Sequence, residues 1–166
     1  MASEAAFWEW SLARWREEGV EAQLLKLQDV HELVVLEVLM GAWLGTLGVH
    51  LSQADWQAMI DAADPWVEGV VLPLRQRRIL WRAQPAQAGL YSEVKKLELS
   101  AERSLASIYV EALANARDDL APAAGGADGK ALAREAVAAN LTQVLSRAQP
   151  AVGPEVVACV TELLAP

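Results

Sequence analysis

The chain has 166 residues, enough for one domain with a sizeable core, and 54% of them are hydrophobic against 22% charged, which excludes a disordered tail. Fourteen Lys and Arg stand against 22 Asp and Glu, a net charge of −8. A protein that coats phosphates needs the opposite balance, so nucleic acid is not an expected partner. Ala and Leu fill 55 positions while Ile and Thr appear three times each, a composition of helix formers that predicts an all-α chain.

Ser3 has the chemistry of an N-cap, and Trp8, Leu12 and Trp15 share a helical face that Phe7 and Trp10 widen, before Gly19 stops the helix. A second helix carries Val20, Leu24 and Leu27. The stretch from Leu33 to Leu51 is nearly all apolar and approaches the length of a membrane span. Glu37 lies inside it, and its flanks lack basic and aromatic anchors, so we read the central buried helix of a bundle, with no membrane partner. Gly41, Gly45 and Gly48 would let a neighbour approach closely.

Ser52 and Asp55 form a capping box for a short helix through Ile60. Asp64-Pro65 reads as the start of another helix, ending near Ala83 and kinked at Pro73. After a loop at 84–89, steps of three and four through Leu90, Val94, Leu97, Ala101, Leu105, Ile108 and Ala112 predict one long helix near 90–120, half of a hairpin or a dimer seam. APAAGGADG at 121–129 is a flexible linker inside a helical domain spanning 1–149. A helix of about 17 residues follows, and 150–166 forms a short C-terminal helix or tail. The expected architecture is a single-domain bundle of about six or seven helices. All seven tryptophans precede residue 82, with Trp8, Trp15, Trp43, Trp56 and Trp66 as core anchors, so the Ala-rich second half is expected to pack more loosely.

Phe7-Trp8-Glu9-Trp10-Ser11-Leu12, Leu27-Gln28-Asp29, Pro65-Trp66, Val71-Leu72-Pro73-Leu74-Arg75 with Arg77 and Arg78, Lys95-Lys96-Leu97-Glu98 and Asn140-Leu141 occur in order. This series resembles an uncharacterised bacterial family of small helical proteins. The resemblance spans roughly residues 7 to 145 and implies a compact all-helical cytosolic protein without an assigned activity. One departure stands out. After Leu-Gln-Asp the family carries a glycine and then a polar stretch, where this chain has Glu32 and Val34-Val35-Leu36.

Catalytic signatures are missing: no nucleophile elbow, phosphate-binding loop or dinucleotide turn is present, no cofactor is implied, and no catalytic residue is assigned. His31-Glu32 begins like a zincin helix, but Val35 stands where a second ligand belongs, so no metal site is assigned. Cys159, the single cysteine, reads as a buried inert thiol, and with no secretory signal the cytoplasm is the expected compartment.

The densest cationic feature is Leu74 to Arg82. Arg75, Arg78 and Arg82 share a face, with Trp81 beside them and Arg77 turned towards an apolar stripe of Trp66, Val70, Leu74 and Trp81. These arginines either pair with internal acids such as Asp29, Glu32 or Glu37, or present an anion- or partner-binding surface formed by Arg75, Arg78, Trp81 and Arg82. Glu37 faces a neighbour and is expected to pair with Arg77, or else to wall a ligand pocket with Gly41. The leading reading is a non-enzymatic adaptor or regulator that acts through another protein or through self-association. The alternative is a bundle binding a small anionic or apolar ligand.

Overall fold

The computed structural model describes residues 3–116 and 127–166, apart from the side chains of residues 127 and 128. Among the described residues the eight α-helices are α1 (Glu4–Trp15), α2 (Val20–His31), α3 (Val35–Thr46), α4 (Gln53–Trp66), α5 (Leu72–Arg82), α6 (Ala88–Ala116), α7 (Ala127–Leu145) and α8 (Pro154–Leu164). A π-turn, Val67–Val71, joins α4 to α5, and a 3-10 turn, Pro85–Gln87, leads into α6, so the helices form seven continuous rods. The fold is all-α, and among the described residues there is no strand. The expected linker at 121–129 falls largely outside the described residues, and its last three positions already belong to α7.

The chain divides into two compact units, Met1–Trp56 with Arg117–Pro166, and Gln57–Ala116. In the first, α3 is the central element, and every residue from Val35 to Gly45 is buried. Its most extensive neighbour is α7. A Cβ built on Gly45 would stand 2.5 Å from the backbone N and Cα of Val137, and one on Gly41 would stand 3.0 Å from Val144 Cγ2. Only hydrogen in place of a side chain lets the two helices approach this closely. The expectation of a loosely packed second half is therefore corrected. Val137, Leu141 and Val144 are fully buried, because small residues bring helices closer rather than leaving them slack.

The tryptophan core is smaller than expected. Trp43 and Trp56 are buried, and Phe7 packs on Trp43 with ring centroids 5.3 Å apart. Trp8, Trp15 and Trp66 are only half-buried. Cys159 is exposed, since the buried face of α8 carries Val160, Thr161 and Leu164 and the preceding residue turns away from it.

Where the resembled family carries a glycine after Leu-Gln-Asp, this chain has Glu32, and Glu32 adopts the left-handed conformation that ends α2. Leu33 N donates to Leu27 O at 3.3 Å, the six-residue closure of a helix C-terminus, and this requires Glu32 to adopt φ 56°. A side chain in that region costs about 1 kcal/mol. Glu32→Gly is therefore expected to raise stability by about 1 kcal/mol at an unchanged denaturant slope in urea unfolding. An unchanged or lower midpoint would show that Glu32 itself contributes a compensating interaction.

In the second unit, the helix break predicted at Asp64-Pro65 does not occur. The α4 helix runs through Pro65, and the chain continues to Arg82 by way of the π-turn. Leu72 N donates to Val67 O, five residues back. This wider turn precedes Pro73, which has no N–H to donate and whose ring would crowd the carbonyl four residues earlier. The α5 helix then returns antiparallel along α6 as a helical hairpin.

Candidate functional site

The hairpin seam is polar at its centre. Arg75, buried on α5, donates from Nε to Glu98 Oε1 at 3.1 Å and from Nη2 to Glu102 Oε1 at 3.0 Å. Arg78, one turn on, donates from Nε to Glu98 Oε2 and from Nη2 to Glu98 Oε1 at 3.2 Å. Glu98 is 4% exposed and has both carboxylate oxygens occupied by guanidinium donors. Spacings of three on α5 and four on α6 set the two pairs one helical turn apart, in register across the seam.

These contacts correct the expected pairing. The acids that neutralise Arg75 and Arg78 are Glu98 and Glu102 of α6, not Asp29, Glu32 or Glu37. Glu37, 2% exposed, has its ion pair with Arg147, at 3.8 Å, rather than with Arg77, which is exposed. Glu98 and Glu102 lie 9 and 13 residues beyond the 84–89 loop, against 6 and 9 before it for Arg78 and Arg75, so distance from the loop does not mark the pairs.

Electrostatics follow from this packing. Burial pushes the Glu102 carboxyl above its ordinary value, against the pull of Arg75, and repulsion from Glu98 adds to the rise. The hydrogen bond to Glu98 raises the Arg78 guanidinium further and keeps it charged. Such a network joins two helices.

The four predicted surface residues thus separate. Arg75 and Arg78 are struts of the seam, while Trp81 is half-buried and Arg82 is exposed near the hairpin end. Around them the hairpin displays Leu72, Ile79 and Leu80 on α5 and Leu90, Leu97 and Leu99 on α6, the last five about half exposed. The seam predicted for α6 holds at Val94, Ala101 and Leu105 and shifts by one position from Leu97, Ile108 and Ala112 to Glu98, Tyr109 and Leu113. Val94, Glu98, Ala101, Leu105, Tyr109 and Leu113 are buried, while Leu90 and Leu97 face outward. Between Leu72 and Leu99 lie six of the 14 cationic residues but only two acids, Glu93 and Glu98.

In the first unit the face offered by Gly41 is filled by Val144 and Asn140. Asn140, which no cap or helical spacing marks in the sequence, is a buried polar group of that core. Its Nδ2 donates to Gly41 O at 3.0 Å and to Val49 O at 2.9 Å, and its Oδ1 accepts from Leu51 N at 3.0 Å. His31 Nδ1 lies 2.7 Å from Pro150 O, and Gln149 N donates to His31 O, so this histidine anchors the segment entering α8. A groove of about 600 Å³ runs between α7 and α8, lined by Ala138, Leu145, Val157 and Thr161 among others, with neither Glu37 nor Gly41 in its walls. Among the described residues no three His, Cys, Asp or Glu side chains gather as a metal site, and no helix is long and apolar enough to cross a membrane.

A family model described as a protein of unknown function (DUF2390) matches residues 6–108, a stretch that includes Arg75, Arg78, Glu98 and Glu102. No curated protein and no solved structure matches the chain.

Proposed function

Given that the chain belongs to the DUF2390 family, which has no assigned activity, we propose that it acts without catalysis, as an adaptor or regulator that binds protein through the α5–α6 hairpin. One observation carries this reading. Six of the nine large apolar side chains exposed among the described residues lie between Leu72 and Leu99, the same stretch in which cations outnumber acids. Exposed apolar side chains on both sides of one hairpin, interspersed with charge, are costly to leave in water and are typical of surfaces that become covered. Phosphate alone would satisfy the cations but leave the leucines wet, so the surface suits a protein. Arg75 and Arg78 hold the hairpin closed, while Trp81 and Arg82 are its contact residues, of the types enriched at binding hot spots.

The test is affinity capture from native lysate with identification by mass spectrometry. Wild type is run beside a Trp81→Ala/Arg82→Ala variant, since both changes spare the Glu98 network. A protein retained by wild type and lost by the variant, with the circular dichroism of the two unchanged, is the expected result. Identical captures would remove the hairpin end from the binding surface.

A further inference from the structure

We propose that one occupant of this surface is a second copy of the chain, packed hairpin against hairpin as a four-helix bundle on the side bearing Leu74, Trp81, Leu90 and Leu97. The inference rests on the reading of the hairpin as a protein-binding surface and names its partner.

The seam fixes the geometry. On α5 it is marked by Val71, Arg75 and Arg78, and on α6 by Tyr91, Val94 and Glu98, with Arg75 and Arg78 bound to Glu98. Each residue advances a helix by about 100°. A side chain one position before a seam residue therefore projects about a quarter-turn to one side, and one position after it to the other. Because α5 and α6 run antiparallel, "before" lies on the same side of the hairpin in both helices.

That side carries Leu74 and Trp81 on α5, and Leu90 and Leu97 on α6, the latter pair 49% and 57% exposed. The opposite side carries Leu72, Ile79 and Leu99. Two residues of opposite charge edge the first side, Arg77 before Arg78 and Glu93 before Val94.

A two-fold axis parallel to the helices lays α5 of one copy over α6 of the other. It sets Trp81 against the partner's Leu90 and Leu74 against the partner's Leu97. It also sets Arg77 against the partner's Glu93 on one edge, and repeats that pair on the other edge by symmetry. All neighbouring helices in the resulting bundle are antiparallel, the arrangement of an up-and-down four-helix bundle. The exposed Lys96–Glu93 contact, at 2.8 Å, is a surface pair between neighbouring turns and holds Glu93 only weakly. An unrelated acidic peptide would satisfy Arg77 but leave Glu93 facing like charge. A second copy satisfies both. Four apolar side chains per copy make a small interface, of the reversible class.

The purified full-length chain is examined by sedimentation and by light scattering after gel filtration, from about 1 to 100 μM, the range that reads a micromolar Kd. Wild type is expected to shift from monomer to dimer over this range. Leu97→Glu should hold it monomeric, and Ile79→Glu, on the other side, should leave the dimer intact. Arg77→Glu should weaken the dimer at least tenfold, and Arg77→Glu with Glu93→Arg should restore it. If Leu97→Glu fails to fold, the charge reversal and its restoration decide alone. A wild type that stays monomeric overturns the proposal, as does a dimer broken by Ile79→Glu but not by Leu97→Glu. A monomeric chain that still loses its captured protein on Trp81→Ala/Arg82→Ala overturns self-association alone and leaves the hairpin as a surface for another partner.

Discussion

Replacing Glu98 with alanine is expected to cost about 3–5 kcal/mol, read as a lower urea midpoint with the slope retained. The loss exceeds that of an exposed ion pair because Glu98 serves two guanidinium groups at once, and Arg75 lies only 8% exposed behind it. Removing the carboxylate leaves Arg75 with Glu102 as its remaining acid in this network, and burial already favours the neutral form of Glu102. The penalty is that of a stranded charge, not of a lost contact. Arg75→Met combined with Glu98→Leu should therefore cost no more than about half as much, since it removes the buried charge together with its partner. A Glu98→Ala loss below about 1 kcal/mol would mean that water reaches the seam and that the network behaves as a surface pair.

Asn140→Ala is the second large effect, about 3–5 kcal/mol in the same experiment. One amide satisfies three backbone groups: the Gly41 and Val49 carbonyls and the Leu51 amide. Each group stripped of its partner inside the core costs about 1–3 kcal/mol, and the Gly41 carbonyl least, since the α3 ladder also supplies it with a donor. Asn140→Asp is expected to be at least as damaging despite its matching shape, because a carboxylate has no donor for the two carbonyls and sets charge against them. A smaller loss for Asp than for Ala would contradict this donor role.

Much of the helix plan was legible because caps and stops act locally. Ser3 accepts from Ala6 N, Ser52 and Asp55 exchange their capping bonds, and Gly19 takes φ 82°. The buried character of α3 followed from an apolar run too rich to face water. What failed was decided by tertiary partners. Pro65 reads as a helix start in the sequence, yet α4 runs through it and the π-turn continues the rod into α5. The α6 stripe has modest residues at both 97 and 98 registers, and only the arginines opposite decide that the glutamate, not the leucine, turns inward. For the site, the exposure of Arg82 was readable. Arg75 and Arg78 were not, because pairing with acids beyond a loop becomes visible only once the hairpin is closed. Asn140 entered through resemblance alone, as nothing in its neighbours announces three distant backbone partners.

The contact between Gly45 and Val137 also sets an order of events. These residues are far apart in the chain, and the whole of Gln57–Ala116 is threaded between the two segments that build the first unit. Closing so long a loop costs entropy before the α3–α7 contact returns any, which makes this step slow relative to the local closure of α5 on α6. During synthesis α3 leaves the ribosome long before its neighbour exists, with the glycine groove that α7 will fill still bare. The newborn chain must carry that apolar helix unfinished across more than half of its length, so its period of greatest exposure to misassociation lies between the emergence of α3 and that of α7.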